Sequence, residues 1–370
     1  MAGPPRRPGA RRRRRARLRP RGVFLRAHVR ANAHPPAPEH VSERHPGVSI
    51  VVPNYNGAEL LPRFAPTWVA AAERYPGPAE VIVVDDGSSD RSRELLAGLA
   101  GVRPVLHPEN KGFAAACRTG VEAAEHALVV LLNSDVAADE GFLLPLVRAF
   151  DKDEVFSVSP LILDSEGQPS KVTVNLPRLK RGDLRWDGVE PTDLLRLAEL
   201  PLEEPLEIYS LFGLGGAIAL RRERFLALGG FDPLYQPFYH EDTDLGLCAW
   251  RRGWTVKVEP RSQVRHEDGG TINRFHAPFR VKVARRRHRI LCGWKHAEGE
   301  WRSRYGRTLA RRALSKWLSG DLRYYAALWG ALRRRGAALD AHERELEATA
   351  VPLDDAFARI RAAWPPAQLR

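Results

Sequence analysis

A chain of 370 residues with 44% hydrophobic side chains has room for one large domain or two, with an ample core. Its formal charge of +13 is concentrated in the first 45 and last hundred residues, and such basic ends point to polyanions: anionic lipid, nucleic acid or a phosphorylated substrate. Three scattered cysteines, Cys117, Cys248 and Cys292, exclude a disulfide framework or zinc spacing, and no apolar run reaches the roughly 18–20 residues that span a bilayer, so a reducing cytoplasmic setting is expected.

Residues 1–46 are rich in Arg, Pro and Ala around five arginines at 11–15, and predict a disordered basic tail. No aromatic side chain interleaves with that run, which favours a solvated tail over a nucleic-acid platform. Order begins at Val48-Ser-Ile-Val-Val52, a buried strand stopped by Pro53. Leu60, Leu61, Phe64, Trp68 and Val69 follow at helical spacing, with Pro62 and Pro66 expected to break or kink the segment. A second strand at 80–84 ends in Asp85-Asp86-Gly-Ser-Ser-Asp90, where Ser88 or Ser89 is the expected N-cap of a helix carrying Leu95, Leu96 and Leu99. A short strand at 102–106 leads through Asn110, Lys111 and Gly112 to a helix from Phe113 to about Glu125.

The apolar run at 128–132 reads as a strand buried on both faces. It ends abruptly in Asn133, Ser134 and Asp135. A carboxylate there faces the crevice where open α/β sheets bind ligands, and its charge needs a cation or hydrogen bonds. Capping of the next helix would account for the same triplet. Beyond it, 142–150 reads as helix and 155–163 as strand, while 164–210 is polar, proline-dotted and unassigned. A strand at 215–220, a helix at 222–228 and a turn-rich loop at 229–233 lead to His240-Glu-Asp-Thr-Asp-Leu245 and a helix to Arg252. The last strands are expected at 256–258 and 264–266, and a basic, tryptophan-bearing helical region begins near 273. This alternation predicts an α/β fold with a mainly parallel sheet and helices on both faces.

Several short blocks, in register, resemble the family-2 glycosyltransferases. They are Val48-Ser-Ile-Val-Val-Pro-Asn-Tyr-Asn56, Val81-Ile-Val-Val-Asp-Asp-Gly-Ser-Ser-Asp90, Asn110-Lys-Gly-Phe113, Leu131-Leu-Asn-Ser-Asp135, Gly229-Gly-Phe-Asp232, His240-Glu-Asp-Thr-Asp-Leu245 and His266. The match spans about residues 47–270, and its subgroup looks rhamnosyltransferase-like. The resemblance implies a GT-A (Rossmann-like) domain at 47–272, between the tail at 1–46 and a basic helical extension at 273–370. It implies an inverting hexosyl or deoxyhexosyl transfer from a nucleotide-diphosphate sugar, UDP- or dTDP-linked, to a glycan or lipid-linked hydroxyl acceptor in cell-surface glycan or glycolipid synthesis.

Each block suits one part of that chemistry. Pro53, Tyr55 and Asn56 follow strand one, where the Tyr55 ring can lie on the base or simply pack at the rim. Asp85 and Asp86 can accept from a base N–H or ribose hydroxyl, and by resemblance Asp86 reads the base. A solvated Asp-Gly turn is the plainer account. Lys111 and Gly112, before a helix, suit a phosphate or an ordinary loop. Asn133 and Ser134 complete the donor set. By resemblance Asp135 is a metal ligand for Mn²⁺ or Mg²⁺ and His266 a second ligand or a phosphate contact, the imidazole as ligand tilting the choice to manganese. Asn133 stands where the family carries Asp, and an amide coordinates a cation more weakly than a carboxylate. That departure leaves open a non-catalytic nucleotide-sugar or membrane-binding protein with a degenerate metal motif.

Glu241, Asp242 and Asp244 are three acids within four residues, more than capping of a helix dipole needs. The resemblance places the general base here, Asp242 first and Glu241 next. Tyr239 and Trp254 suit either sugar-stacking walls or core packing. The acids of the body argue against a specific nucleic-acid groove. In the extension, arginines at 285–287 and 289, and Arg311, Arg312 and Lys316, accompany an apolar stripe of Leu309, Ala313, Leu314, Trp317, Leu318, Leu328, Trp329 and Leu332. Such a stripe predicts either peripheral attachment to an anionic membrane, at the inner face of the cell membrane, or packing on the body or a partner subunit.

Overall fold

The apolar runs become strands and the periodic segments become helices in the computed structural model, which describes residues 45–266 and 277–369. The chain passes through β1 (Val48–Asn54), α1 (Leu61–Arg74), β2 (Ala79–Asp85), α2 (Ser92–Gly98), β3 (Arg103–Leu106), α3 (Phe113–Ala123), β4 (Leu128–Leu132) and β5 (Val136–Ala138). It continues through α4 (Leu143–Arg148), β6 (Val155–Leu163), β7 (Leu176–Lys180), β8 (Asp183–Asp187), α5 (Pro191–Ala198), β9 (Ala217–Arg221), α6 (Arg222–Ala227), α7 (Glu241–Arg251) and β10 (Thr255–His266). The helices α8 (Pro278–His296), α9 (Gly299–Leu318), α10 (Leu322–Leu332), α11 (Arg335–Glu347) and α12 (Leu353–Ala362) follow. The expected basic tail lies, but for its last two residues, outside the described residues.

Eight strands form one sheet in the order β3-β2-β1-β4-β9-β6-β10-β5. β1 to β4 are mutually parallel, β9 runs antiparallel between β4 and β6, and β10 is parallel to β6. Alternate side chains feed two cores, as the two-residue period of a strand requires. Val48, Ile50 and Val52 pack with α1 and α4, whereas Val51, Ile82, Val84 and Leu131 pack with α3, α7 and residues of α8 to α12. The helices after residue 277 therefore share a core with the sheet, and Arg44–Arg370 form one compact unit. Because the chain leaves β1 toward β2 and β3 and returns to β4 on the other flank, the strand order reverses between β1 and β4. A crevice opens at their carboxyl ends.

Three local expectations are corrected. Pro62 and Pro66 do not break α1: Pro62 lies in its first turn, and burial of Leu61, Phe64, Ala65, Trp68 and Ala71 carries the helix through Pro66. Neither Ser88 nor Ser89 caps α2, because Ser88 Oγ accepts the Asn56 N–H and the Ser89 N–H donates to Asn56 Oδ1. Asp90 Oδ1 accepts the Ser92 N–H instead, at 3.0 Å. The two expected last strands are one strand, β10, whose register against β6 shifts between Glu259 and Gln263. Pro260 lacks the N–H a regular ladder would use there, and the unassigned 164–210 stretch holds the β7–β8 hairpin and α5.

Candidate active site

The loops after β1 and β2 are built around two buried carboxylates. Asp85, at the end of β2, accepts from Asn54 Nδ2 (3.2 Å), the Ser88 N–H (3.1 Å) and Arg93 Nε (2.9 Å). It locks the loops after β1 and β2 together, a task Asn56 shares with its backbone at φ +50°. Asp86 accepts the Lys111 and Gly112 N–H groups at 2.9 and 2.7 Å and meets His107 Nδ1 at 2.7 Å. The Lys111-Gly112 backbone therefore already has its anion, Asp86, and the Lys111 side chain is exposed. Pro53 and Tyr55 are half-buried at the rim of this loop pair.

Asn133, Ser134 and Asp135 bridge β4 to β5, with Ser134 and Asp135 buried. Pairing of β10 with β5 sets His266 opposite Val136, which brings His266 Nε2 to 3.4 Å from Asp135 Oδ1. Two neighbouring ligands of an octahedral ion at about 2.1 Å stand about 3 Å apart, so this carboxylate and imidazole suit one divalent cation. Asn133 is pinned differently. Its N–H donates to Gly216 O at 2.9 Å, and a Cβ on Gly216 would lie 2.7 Å from Asn133 Nδ2. Only glycine lets the Asn133 amide lie flat against the entry to β9.

Gly215 and Gly216 are also what join the two halves of the site. Gly216 touches Asn133, while Gly215 lies beside Phe231 and Phe113 and its backbone hydrogen-bonds the Asp242 carboxylate. Both Asp86 and Glu241 lie close enough to Cys117 of α3 to raise its thiol further, after burial has done most of it. The loops after β1 and β2, the Asn133–Asp135 segment and the first turn of α7 thus adjoin one another.

At that first turn the backbone is strained: Tyr239 and His240 are consecutive non-glycine residues at φ +71° and +75°. Burial and then the adjacent Asp242 push Glu241 from 4.5 to about 8, and its Oε2 has no hydrogen-bond partner among the described residues. Burial pushes Asp242 from 3.8 to about 6, against the pull of the Thr243 N–H at 2.6 Å and the Thr243 hydroxyl at 3.3 Å. Adjacent buried carboxyls of this kind titrate as a pair, and a pair poised near neutrality suits general-base work.

Asp244 differs. It accepts from Tyr235 Oη (2.9 Å), Lys295 Nζ (2.8 Å) and His296 Nε2 (2.7 Å). Burial alone would raise its carboxyl, but Lys295 and His296 hold it well below the usual range. Asp244, Cys248 and His296 together resemble a metal cluster, yet the Lys295 ammonium supplies the cation and also reaches Asp232 at 2.8 Å. Also on α8, His288 Nδ1 contacts the carbonyls of Phe238 and Tyr239 at 2.9 and 3.0 Å. The extension therefore braces the strained turn and α7, a role that sequence reasoning missed because Lys295 and His288 look like any basic residues of a helix. Trp254 is a packing residue, stacked on Phe156 with Arg224 over its ring. Tyr239 carries Arg285 over its ring, 4.3 Å from the centroid.

A mixed, mostly parallel sheet with its crevice at the strand-order reversal is the frame of a GT-A glycosyltransferase. Residues 49–193 match the family described as Glycosyl transferase family 2. Over those residues the chain carries a family-2 glycosyltransferase domain, and its sequence is similar to that of a rhamnosyltransferase. It is 27% identical over 276 residues to the N-acetylglucosaminyl-diphospho-decaprenol L-rhamnosyltransferase of Mycobacterium tuberculosis, covering 68% of this chain and 87% of that protein. It is 30% identical over 240 residues to the pre-mycofactocin glycosyltransferase of the same organism, covering 64% of this chain and 45% of the relative. Among solved structures, GalNAc-T7 with UDP, GalNAc and Mn²⁺ superposes with a TM-score of 0.54 at 19% identity, over 71% of this chain and 50% of that one, and shares the fold.

Proposed function

We propose that this enzyme inverts the anomeric carbon of a hexosyl or deoxyhexosyl unit as it moves it from a nucleoside-diphosphate donor, UDP- or dTDP-linked, to a hydroxyl of a lipid-linked glycan acceptor. The catalytic domain is assigned to 47–272 and the bracing helical extension to 273–370. The observation that carries the reading is the Gly215-Gly216 segment, which packs on Asn133 through Gly216 and hydrogen-bonds Asp242 through the Gly215 backbone. These contacts support a reading in which Asp242 is the proton acceptor and Asp135 with His266 the diphosphate-side pair.

Asp242 takes the proton of the acceptor hydroxyl as its oxygen attacks the anomeric carbon, with Glu241 beside it as the next candidate base. The bond to the diphosphate oxygen breaks on the opposite face, hence inversion. Asp85 and Asp86 hold the nucleoside-side loops in place, with Tyr55 offered to the base and Lys111 to the phosphates. A divalent ion held by Asp135 and His266, with Mn²⁺ favoured by the imidazole, would neutralise charge gathering on the leaving diphosphate. The acceptor class is supported by the rhamnosyltransferase relative, whose name specifies a decaprenol diphosphate. Such acceptors are held in a bilayer, so the reaction is assigned to the inner face of the cell membrane in cell-surface glycan synthesis. No helix among the described residues is long and apolar enough to cross a membrane.

Thermal-shift titration with UDP-, dTDP- and GDP-sugars, with and without Mn²⁺, tests the reading. Stabilisation by a pyrimidine-nucleotide sugar that deepens with Mn²⁺ and weakens in Asp135→Ala supports it. A protein that no nucleotide sugar stabilises would remove the donor assignment.

A further inference from the structure

The apolar stripe of the extension divides in the folded protein. Leu309 and Leu328 pack against the core, and Tyr324, Ala327 and Ala331 are buried. Leu314, Trp317, Leu318, Leu322, Trp329 and Leu332 face solvent, with Trp317 72%, Leu318 81% and Leu322 79% exposed. Single exposed leucines are ordinary, but large apolar side chains clustered around one corner mark an interaction surface.

Charge is arranged around that corner. Arg307, Arg311, Leu314 and Leu318 fall on one face of α9, and Leu322, Trp329 and Arg333 on one face of α10, by the helical repeat. On both helices the apolar residues adjoin the turn and arginine lies further away. At 1.5 Å per residue, Arg311 is about 10 Å along its axis from Leu318, and Arg333 about 16 Å from Leu322. The turn itself is held: the Gly320 N–H donates to Trp317 O at 3.1 Å, and Asp321 accepts the Tyr324 N–H. Asp321, the acid of the turn, is paired with Arg286 at 2.9 Å and has Lys316 at 3.5 Å. Arg307, Arg311 and Arg333 make no ion pair among the described residues.

We propose that the α9–α10 corner docks on an anionic lipid bilayer, Trp317, Leu318 and Leu322 entering the interface while the arginines behind them meet lipid phosphates. An apolar tip with a cationic surround and tryptophan is the chemistry of interfacial binding. A second copy of the chain would bring arginine against arginine, which disfavours self-association through this face. The inference deepens the lipid-linked-acceptor reading, but vesicle binding is measured without donor or acceptor, so either can fail alone.

The test is co-sedimentation of the full chain with phosphatidylglycerol and with phosphatidylcholine vesicles at low and high salt. The comparison is a W317S/L318S/L322S variant, whose side chains are exposed and whose melting temperature should be unchanged. The wild type should pellet with phosphatidylglycerol and be released by salt. The variant and R311E should bind at least about tenfold more weakly. A wild type that stays in the supernatant, or a triple variant that pellets as well as the wild type, overturns the proposal. So does a wild-type dimer that the triple substitution converts to monomer without any vesicle binding, which would make the corner a self-association surface.

Discussion

Replacing Asp242 by Asn should move stability and turnover in opposite directions. The carboxyl rises from 3.8 to about 6 on folding because the α7 start is buried. At about 1.4 kcal/mol per unit of pKa, holding it ionised at neutral pH costs up to about 3 kcal/mol. Asp242 keeps part of its surface open to the crevice, and discounting for that solvent leaves about 1–2 kcal/mol. The sign follows from proton counting. The folded protein holds the proton more tightly than the unfolded chain, so wild-type stability is lost as pH climbs from about 4 to about 6 and stays lost above that. Asn keeps an acceptor for the Thr243 N–H and carries no charge. D242N should therefore match wild type near pH 4 and melt about 2–4 °C higher above pH 6. Its turnover should fall by about 10²–10⁴, with loss of the acid limb of the pH–rate profile. The assay is paired melting curves and initial rates from pH 4.5 to 8. A stability difference that does not grow with pH, or turnover within about threefold of wild type, would refute the assignment and direct attention to Glu241.

Asp135→Ala should abolish stimulation by Mn²⁺ in an activity assay while leaving the fold intact, and wild-type turnover indifferent to EDTA would end the metal role. Asn133→Asp is the converse check and should tighten Mn²⁺ binding measured by calorimetry. Gly216→Ala should raise the KM for donor more than it lowers the melting temperature, because the added Cβ displaces the Asn133 amide; unaltered donor binding would contradict that contact. Lys295→Met leaves the buried Asp244 and the half-buried Asp232 without their ammonium and should cost about 3–5 kcal/mol in urea unfolding. Since Asp244 is held below its ordinary value, its stability contribution is present above about pH 4 and lost as pH falls further, and K295M should shift that loss to higher pH.

The strands of the sheet centre could be read directly from sequence because burial on both faces leaves one solution: short unbroken runs such as 48–52, 81–84 and 128–132, each ended by a polar cluster that the crevice then uses. The proximity of Asp135 to His266 was expected only through a family resemblance. What brings them to 3.4 Å is the antiparallel pairing of β5 with β10, a contact across more than a hundred residues that no local pattern encodes. The roles of neighbouring acids were likewise undecided. Asp85 and Asp86, or Asp242 and Asp244, are equal as residue types, and tertiary partners separate them: Arg93 and Asn54 claim Asp85, the Lys111 and Gly112 N–H groups claim Asp86, and Lys295 with His296 claims Asp244. Asp242 is left with Thr243 and the Gly215 backbone and no cationic partner among the described residues, which is what favours it in the proposed role of base. For the extension, helical spacing determined that an apolar stripe exists, but a stripe that enters a core and one that awaits a membrane have the same period. Only packing decided that Leu309 and Leu328 turn inward while Trp317, Leu318 and Leu322 remain outside.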